Sequence, residues 1–259
     1  MKTRLDFLKE LAFPLKEFVS KLDINVSSYE QEKGYLCEED VLVNNFIIDQ
    51  ISSCYPNDHI ISEENLNEYQ FNRKGSVWII DPICGTTNYL REIPFFANSI
   101  SCIDESKLIF SCILDVNRSE FFLNDGKYSF LNNNKINVSK TRRLEEAIIS
   151  INCNQSSFKS NSFSIDHLFE KLKPPTTRRI KIFESANLEL AYVAAGRLDA
   201  YINPDDKIWD MVAGSQLIKN AGGSFHIFEG DISNFGETTR GIVGTNEYLL
   251  EQILEKILQ

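Results

Sequence analysis

No uninterrupted apolar run in this sequence approaches the roughly 18–20 residues that a membrane-spanning helix needs, so no membrane span is expected. The opening MKTRLDFLKELAFPLKEFVSKLD lacks the continuous apolar centre of a secretion signal. It reads as an amphipathic helix, with a kink expected at Pro14. No Cys-x-x-Cys pair occurs: Cys37, Cys54, Cys84, Cys102, Cys112 and Cys153 are widely spaced, and free thiols in a cytoplasmic setting are expected rather than disulfides. Positive charge is in deficit, with 27 Lys and Arg against 37 Asp and Glu, for a net charge of −10. That balance repels polyanions at long range and disfavours nucleic acid and anionic membrane surfaces as partners. It suits a protein whose acidic groups collect cations. No internal repeat and no low-complexity linker interrupts the chain.

What is present is ordinary for a globular protein: 259 residues, 42% hydrophobic and 25% charged, enough for one large domain or two closely packed halves. After the first helix, Glu38-Glu39-Asp40 opens a second, with Val41, Phe46, Ile47 and Ile51 at helical spacing and Asp40 in its first turn. Strands are expected at His59–Ser62, Val77–Ile80, Phe96–Ile103, Leu108–Val116, Glu120–Leu123 and Lys127–Leu131, followed by a polar loop at Leu131–Lys135. The second half predicts a strand at Ile148–Asn152, a polar connection from Ser156 to Ser164, and a helix from Asp166 that stops before Pro174-Pro175. Further on come a strand at Arg179–Phe183, helices at Ala186–Ala195 and Asp210–Asn220, strands at Ser224–Phe228 and Gly241–Gly244, and a last helix from Glu247. The pattern is a mixed α+β or α/β protein, divided near Ala147 into an N-terminal half, 1–147, and a C-terminal half, 148–259, that form one compact unit.

Three acidic positions fall at the ends of these elements, where side chains from distant parts of a chain converge. By position alone Glu63-Glu64 reads as a solvated turn and Asp210 as a helix N-cap. Asp81 is different, because Asp-Pro closing a four-residue apolar strand places a carboxylate at the edge of the core. Directly after it, Gly85-Thr86-Thr87-Asn88 combines a glycine that permits close backbone approach with hydroxyls at a helix start, a pattern that serves a phosphate or a plain helix cap equally.

Strand-Asp81-Pro82-Ile83-x-Gly85-Thr86-Thr87-Asn88, the upstream Glu63-Glu64, and the downstream Trp209-Asp210-x-x-Ala213-Gly214 followed by Ala221-Gly222-Gly223 together resemble the inositol monophosphatase family of metal-dependent, lithium-sensitive phosphomonoesterases. The resemblance covers about Asp40 to Gly244. It implies a layered αβαβα sandwich, a homodimer, magnesium (or manganese or another divalent ion) as cofactor, and a small phosphate ester as substrate. The N-terminal half would then carry the metal and phosphate motifs, and the C-terminal half Asp210 and the substrate contacts. It implies that Glu63 ligates metal and, with Thr86, orients the attacking water. Asp81 would bridge two metals, the Ile83 carbonyl would join the first, Asp210 would hold the second and touch substrate, and Asp40 would belong to a third, weaker site. Gly85 and Thr86 would receive the phosphate, with Cys84, Ser185, Ala186 and Asn203 near the substrate. Thr87-Asn88 favours the inositol branch over 3'(2'),5'-bisphosphate nucleotidases.

Three positions depart from that pattern. Asn203 stands where a glutamate is frequent, Glu184 where glycine is usual, and Cys84 where the family has a metal-binding aspartate. Removing a unit charge about 4 Å from a divalent ion costs about 2–4 kcal/mol net, or roughly 30- to 1000-fold in magnesium affinity. Three outcomes follow for Cys84: a bystander beside a weakened metal site, a thiolate ligand for a softer ion, or a degenerate site in a non-catalytic phosphate-ester-binding or regulatory protein.

Overall fold

The computed structural model describes residues 2–22, 29–31, 34–68, 75–104, 109–152, 164–230 and 239–259. Helix α1 (Arg4–Val19) starts at Thr3, whose hydroxyl accepts the Asp6 N–H, and continues through Pro14 without interruption. Phe7 and Leu8, then Leu11, Leu15 and Val19 at steps of three or four residues, are its buried stripe. A small antiparallel pair, β1 (Tyr29–Gln31) and β2 (Gly34–Leu36), precedes helix α2 (Glu38–Cys54). The first turn of α2 is acidic, and Val43, Ile47 and Ile51 face inward.

Seven strands then form one sheet in sequential order: β3 (His59–Ser62), β4 (Val77–Cys84), β5 (Ala97–Ile103), β6 (Ile109–Asp115), β7 (Glu120–Asn124), β8 (Ser129–Leu131) and β9 (Asn134–Lys135). The first pair is parallel and the rest are antiparallel. A one-turn helix, α3 (Thr86–Leu90), links β4 to β5. Leu131–Lys135, expected as an open polar loop, is instead a tight hairpin. Asn132 and Asn133 take φ of 46° and 68°, the left-handed values that a two-residue turn joining twisted strands requires and that asparagine tolerates.

The second sheet contains β10 (Ile148–Ile151), β11 (Arg179–Lys181), β12 (Ala200–Asn203), β13 (Gly223–Glu229) and β14 (Arg240–Asn246), in the order β11-β10-β12-β14-β13. Its helices are α4 (Ile165–Leu172), α5 (Ala186–Ala194), α6 (Ile208–Asn220) and α7 (Leu250–Ile257). The expected polar connection from Ser156 lies outside the described residues except for Ser164, which caps α4.

The elements stack in five layers. Helices α1 and α2 cover one face of the seven-stranded sheet, α5 and α6 lie between the two sheets, and α4 and α7 cover the far face of the five-stranded sheet. Each interface has its own apolar cluster: Leu8, Ile47, Trp78 and Ile80 in the first, Ile113, Phe122, Leu190 and Leu217 in the middle, Ile149, Leu168, Val243 and Ile253 in the last. This is the layered αβαβα sandwich expected from the resemblance. No helix among the described residues is long and apolar enough to cross a membrane.

Candidate active site

Strand β4 sets the site. Trp78 and Ile80 point toward α1 and α2, whereas Ile79 packs on Val212 of α6. In a regular strand, residues three apart face opposite sides, which would separate Asp81 from Cys84. The register with β5 instead slips between Asp81, opposite Ser99, and Cys84, opposite Ala97. Three steps on one strand match two on the other, so the bulge returns Cys84 to the face that carries Asp81. Gly85 follows with φ of 101°, and a β-carbon there would lie 3.1 Å from the Glu184 carbonyl oxygen and 3.3 Å from that of Phe95. Both the backbone twist and the close quarters require glycine at this turn.

Across from β4, helix α6 brings Asp210. It is the third residue of the helix, not its N-cap as expected: Lys207 precedes the first turn, and its N–H donates to Asp210 Oδ2 at 2.8 Å. One ligand atom from each of Asp81, Cys84 and Asp210 lies within 4.8 Å of the others, a group that forms from residues 129 positions apart at its extremes (210 − 81). Asp81 is 1% exposed, and its Oδ1 is buried with no hydrogen-bond partner. An ionised carboxylate oxygen in that position is costly unless something positive meets it.

The residue that ties this group together had no part in the sequence reading. Asn187, in the first turn of α5 and fully buried, donates its amide Nδ2 to Asp81 Oδ2 at 3.0 Å and to the Trp209 carbonyl at 3.0 Å. Its Oδ1 accepts the Ser99 hydroxyl at 3.1 Å, and its backbone N–H reaches Cys84 Sγ at 3.3 Å. One asparagine thus joins β4, β5, α5 and α6. An asparagine within Ala-Asn-Leu-Glu-Leu-Ala carries no recognisable motif, and only its place just after Ser185 at a helix start marks it.

Glu63 and Glu64 open a 3-10 turn after β3 and are half-buried, which replaces the solvated turn expected from position alone. The Glu63 carboxyl is held well above its ordinary range by burial and then by Asp81, Asp210 and Asp40. Asp81 is raised likewise by burial and by Asp210, against the neighbouring Cys84 thiol and the hydrogen bond from Asn187. Burial raises Asp210 to about 6, opposed by the Lys207 N–H and charge. Asp40, 2% exposed, is pushed up to about 7 by burial, against hydrogen bonds from Cys37 and Thr86. The thiol of Cys84 is raised by burial and by its two carboxylate neighbours. These shifts describe one concentrated cluster of buried acidic groups that disfavour one another's ionisation, relieved at Asp210 by Lys207.

The turn residues are close by. Thr86 Oγ1 donates to the Ile83 carbonyl at 3.2 Å. Because a hydroxyl has a single proton, it serves that carbonyl or the neighbouring Asp40, not both. Ser185 is buried at the head of α5 and donates its hydroxyl to the Cys84 carbonyl at 2.7 Å, with Ala186 buried next to it. Glu184 has φ of 60°. That left-handed backbone explains why glycine suits this position, and the glutamate keeps the conformation at a cost. Asn203 is fully buried at the end of β12; its Oδ1 accepts the Asp205 N–H at 3.0 Å and its amide donates to Asp206, so the side chain is engaged within its own loop.

The arrangement fits a divalent cation. Its donors are two carboxylates and a sulfur, one carboxylate oxygen is buried and unsatisfied, and the other oxygen of Asp81 and one of Asp210 are each fixed by an N–H from the protein.

Comparison with known proteins bears on the family and the fold. The chain is 33% identical over 217 residues to the inositol-1-monophosphatase of Bacillus subtilis, covering 82% of this chain and 79% of the relative. It is 32% identical over 219 residues to a Pseudomonas aeruginosa protein named Nus factor SuhB, covering 82% and 79%. The solved structure of a Thermotoga maritima IMPase superposes with a TM-score of 0.81 at 25% identity, covering 98% of this chain and 96% of that one. The sequence pattern of the inositol monophosphatase family matches residues 9–259, and with the sandwich and the acidic cluster already in place, the chain belongs to that family.

Proposed function

We propose that this protein is a divalent-metal-dependent phosphomonoesterase acting on a small phosphate ester such as inositol monophosphate or a related sugar phosphate. One observation carries the reading: Asp81, Cys84 and Asp210 converge within 4.8 Å, with a buried, unpartnered Asp81 oxygen among them. Glu63, Asp81 and the Ile83 carbonyl would hold a first ion, Asp81 and Asp210 a second, and Asp40 an outer one. When bound, such ions neutralise phosphate charge and acidify a water molecule. Magnesium or manganese suits the oxygen-only first set.

The protein's own groups do the rest. Glu63 accepts the proton of the attacking water, which the Thr86 hydroxyl orients. The Gly85-Thr86 turn receives the phosphate, Asp210 faces the leaving oxygen, and Ser185, Ala186 and Asn203 shape the wall on which the alcohol portion rests. A homodimer belongs to the same proposal.

A second reading has its own support. The substitution at Cys84 and a relative named as a Nus factor favour a regulatory, phosphate-ester-binding protein without turnover. Phosphate release decides between them: the chain is stripped with a chelator, reloaded with magnesium, manganese, cobalt or zinc, and offered inositol monophosphate, sugar phosphates and 3',5'-bisphosphorylated adenosine. Release from the inositol or sugar esters that disappears in Asp81→Asn is the expected result. Release from the bisphosphorylated nucleotide alone makes the protein a 3'(2'),5'-bisphosphate nucleotidase. A folded chain that releases phosphate from nothing supports the regulatory reading.

A further inference from the structure

We propose that the Cys84 sulfur is a direct metal ligand, and that Asp81, Cys84 and Asp210 together form a position that selects a thiophilic ion of the zinc or cobalt type over magnesium. The inference rests on the metal-site reading above and assigns this position a class of ion.

Distance comes first. With bonds of about 2.3 Å to sulfur and about 2.1 Å to oxygen, three donors arranged tetrahedrally on one ion lie about 3.5 Å from one another. The three donors already lie within 4.8 Å of one another, so closing on an ion needs a contraction of about 1 Å at the widest. Orientation comes second. Each donor group is steadied by one N–H: Cys84 Sγ by the Asn187 backbone, Asp81 Oδ2 by the Asn187 amide, and Asp210 Oδ2 by the Lys207 backbone. Asp81 Oδ1 is left buried and unpartnered. Groups held by one contact while another lone pair stays open are what surrounds a bound metal in proteins. Asn187, which steadies two of the three, is a positioning residue for the site.

Ion class follows from the donors. Magnesium takes oxygen ligands and sheds its water reluctantly, whereas sulfur favours zinc and, among spectroscopically visible ions, cobalt. On binding, the thiol proton leaves to solvent and the sulfur binds as thiolate.

The test uses the full chain, stripped with a chelator and titrated with cobalt(II), with near-ultraviolet absorption read for sulfur-to-cobalt charge transfer. A saturable band is expected. It should vanish in Cys84→Ser and persist in Cys37→Ser, a thiol that bonds to a neighbouring carboxylate, with Sγ 3.0 Å from Asp40 Oδ2. Zinc should bleach the band at equal concentration, and magnesium should fail to do so at about a hundredfold excess. Cys84→Asp should lose the band and bind magnesium about tenfold or more tightly than the wild type. Circular dichroism establishes that each variant is folded. Calorimetric cobalt binding without a band, a band that survives in Cys84→Ser, or displacement by equimolar magnesium overturns the inference. The phosphatase reading fails separately: a band without phosphate release from any ester keeps the sulfur ligand and removes the enzyme, and magnesium-supported release without a band does the reverse.

Discussion

At the scale of the residue, a departure from the family pattern acquires a physical meaning only once its backbone is known. Glu184 sits at φ of 60°, where a side chain costs about 1–2 kcal/mol and glycine costs little beyond its greater freedom in the unfolded chain. Glu184→Gly is therefore expected to stabilise the protein by about 0.5–1 kcal/mol, a rise of about 1–3 °C in melting temperature by calorimetry. An unchanged or lower melting temperature would show that the glutamate side chain makes a compensating contact. Cys84 was legible in the sequence because Asp81-Pro82-Ile83 and Gly85-Thr86 frame it. Asn187 was not, because its role depends on Asp81, Ser99, Cys84 and Trp209 arriving from three other elements.

At the scale of the element, the site depends on how closely α5 and α6 approach. A β-carbon on Gly214 would fall 2.3 Å from Leu190 Cβ, an atom too near its own backbone to swing aside. Gly214→Ala must push the two helices apart, at a cost of about 1–3 kcal/mol. The same displacement pulls Asn187 on α5 away from Trp209 and Asp210 on α6. A lower melting temperature together with weaker cobalt binding is expected, and a loss of stability with metal affinity intact would separate packing from site geometry. The apolar strand runs were legible because side-chain alternation marks them directly. The bulge after Asp81 and the start of α6 before Asp210 were not, since the first is a property of the pairing with β5 and the second places its cap at a lysine, a residue without capping preference. The β8–β9 hairpin was misread because a run of asparagines suits both a loop and a left-handed turn.

At the scale of the whole molecule, the layered order came from the family resemblance and not from periodicity, since apolar spacing tells which face of an element is buried but not against what. The concentration of carboxylates sets the pH response. An aspartate in the unfolded chain ionises near 3.8, whereas Asp40 ionises at about 7 and Asp210 at about 6 in the fold, and Glu63 and Asp81 are raised too. The folded state retains protons that the unfolded state releases, so the contribution of Asp40 and Asp210 is intact below pH 3.8, declines as pH rises, and is lost above about 7. The metal-free protein should accordingly melt at a lower temperature at pH 8 than at pH 5, and a divalent cation should raise the melting temperature more at pH 8. Equal stabilisation at both values would mean that the ion binds elsewhere. Asp81 lies on the seven-stranded sheet and Asp210 on the middle helices, so an ion held by both is a removable clasp between two layers. Its release frees the boundary that global unfolding must also open, and because degradation proceeds from opened states, the lifetime of the protein beside a protease becomes a function of the free metal around it.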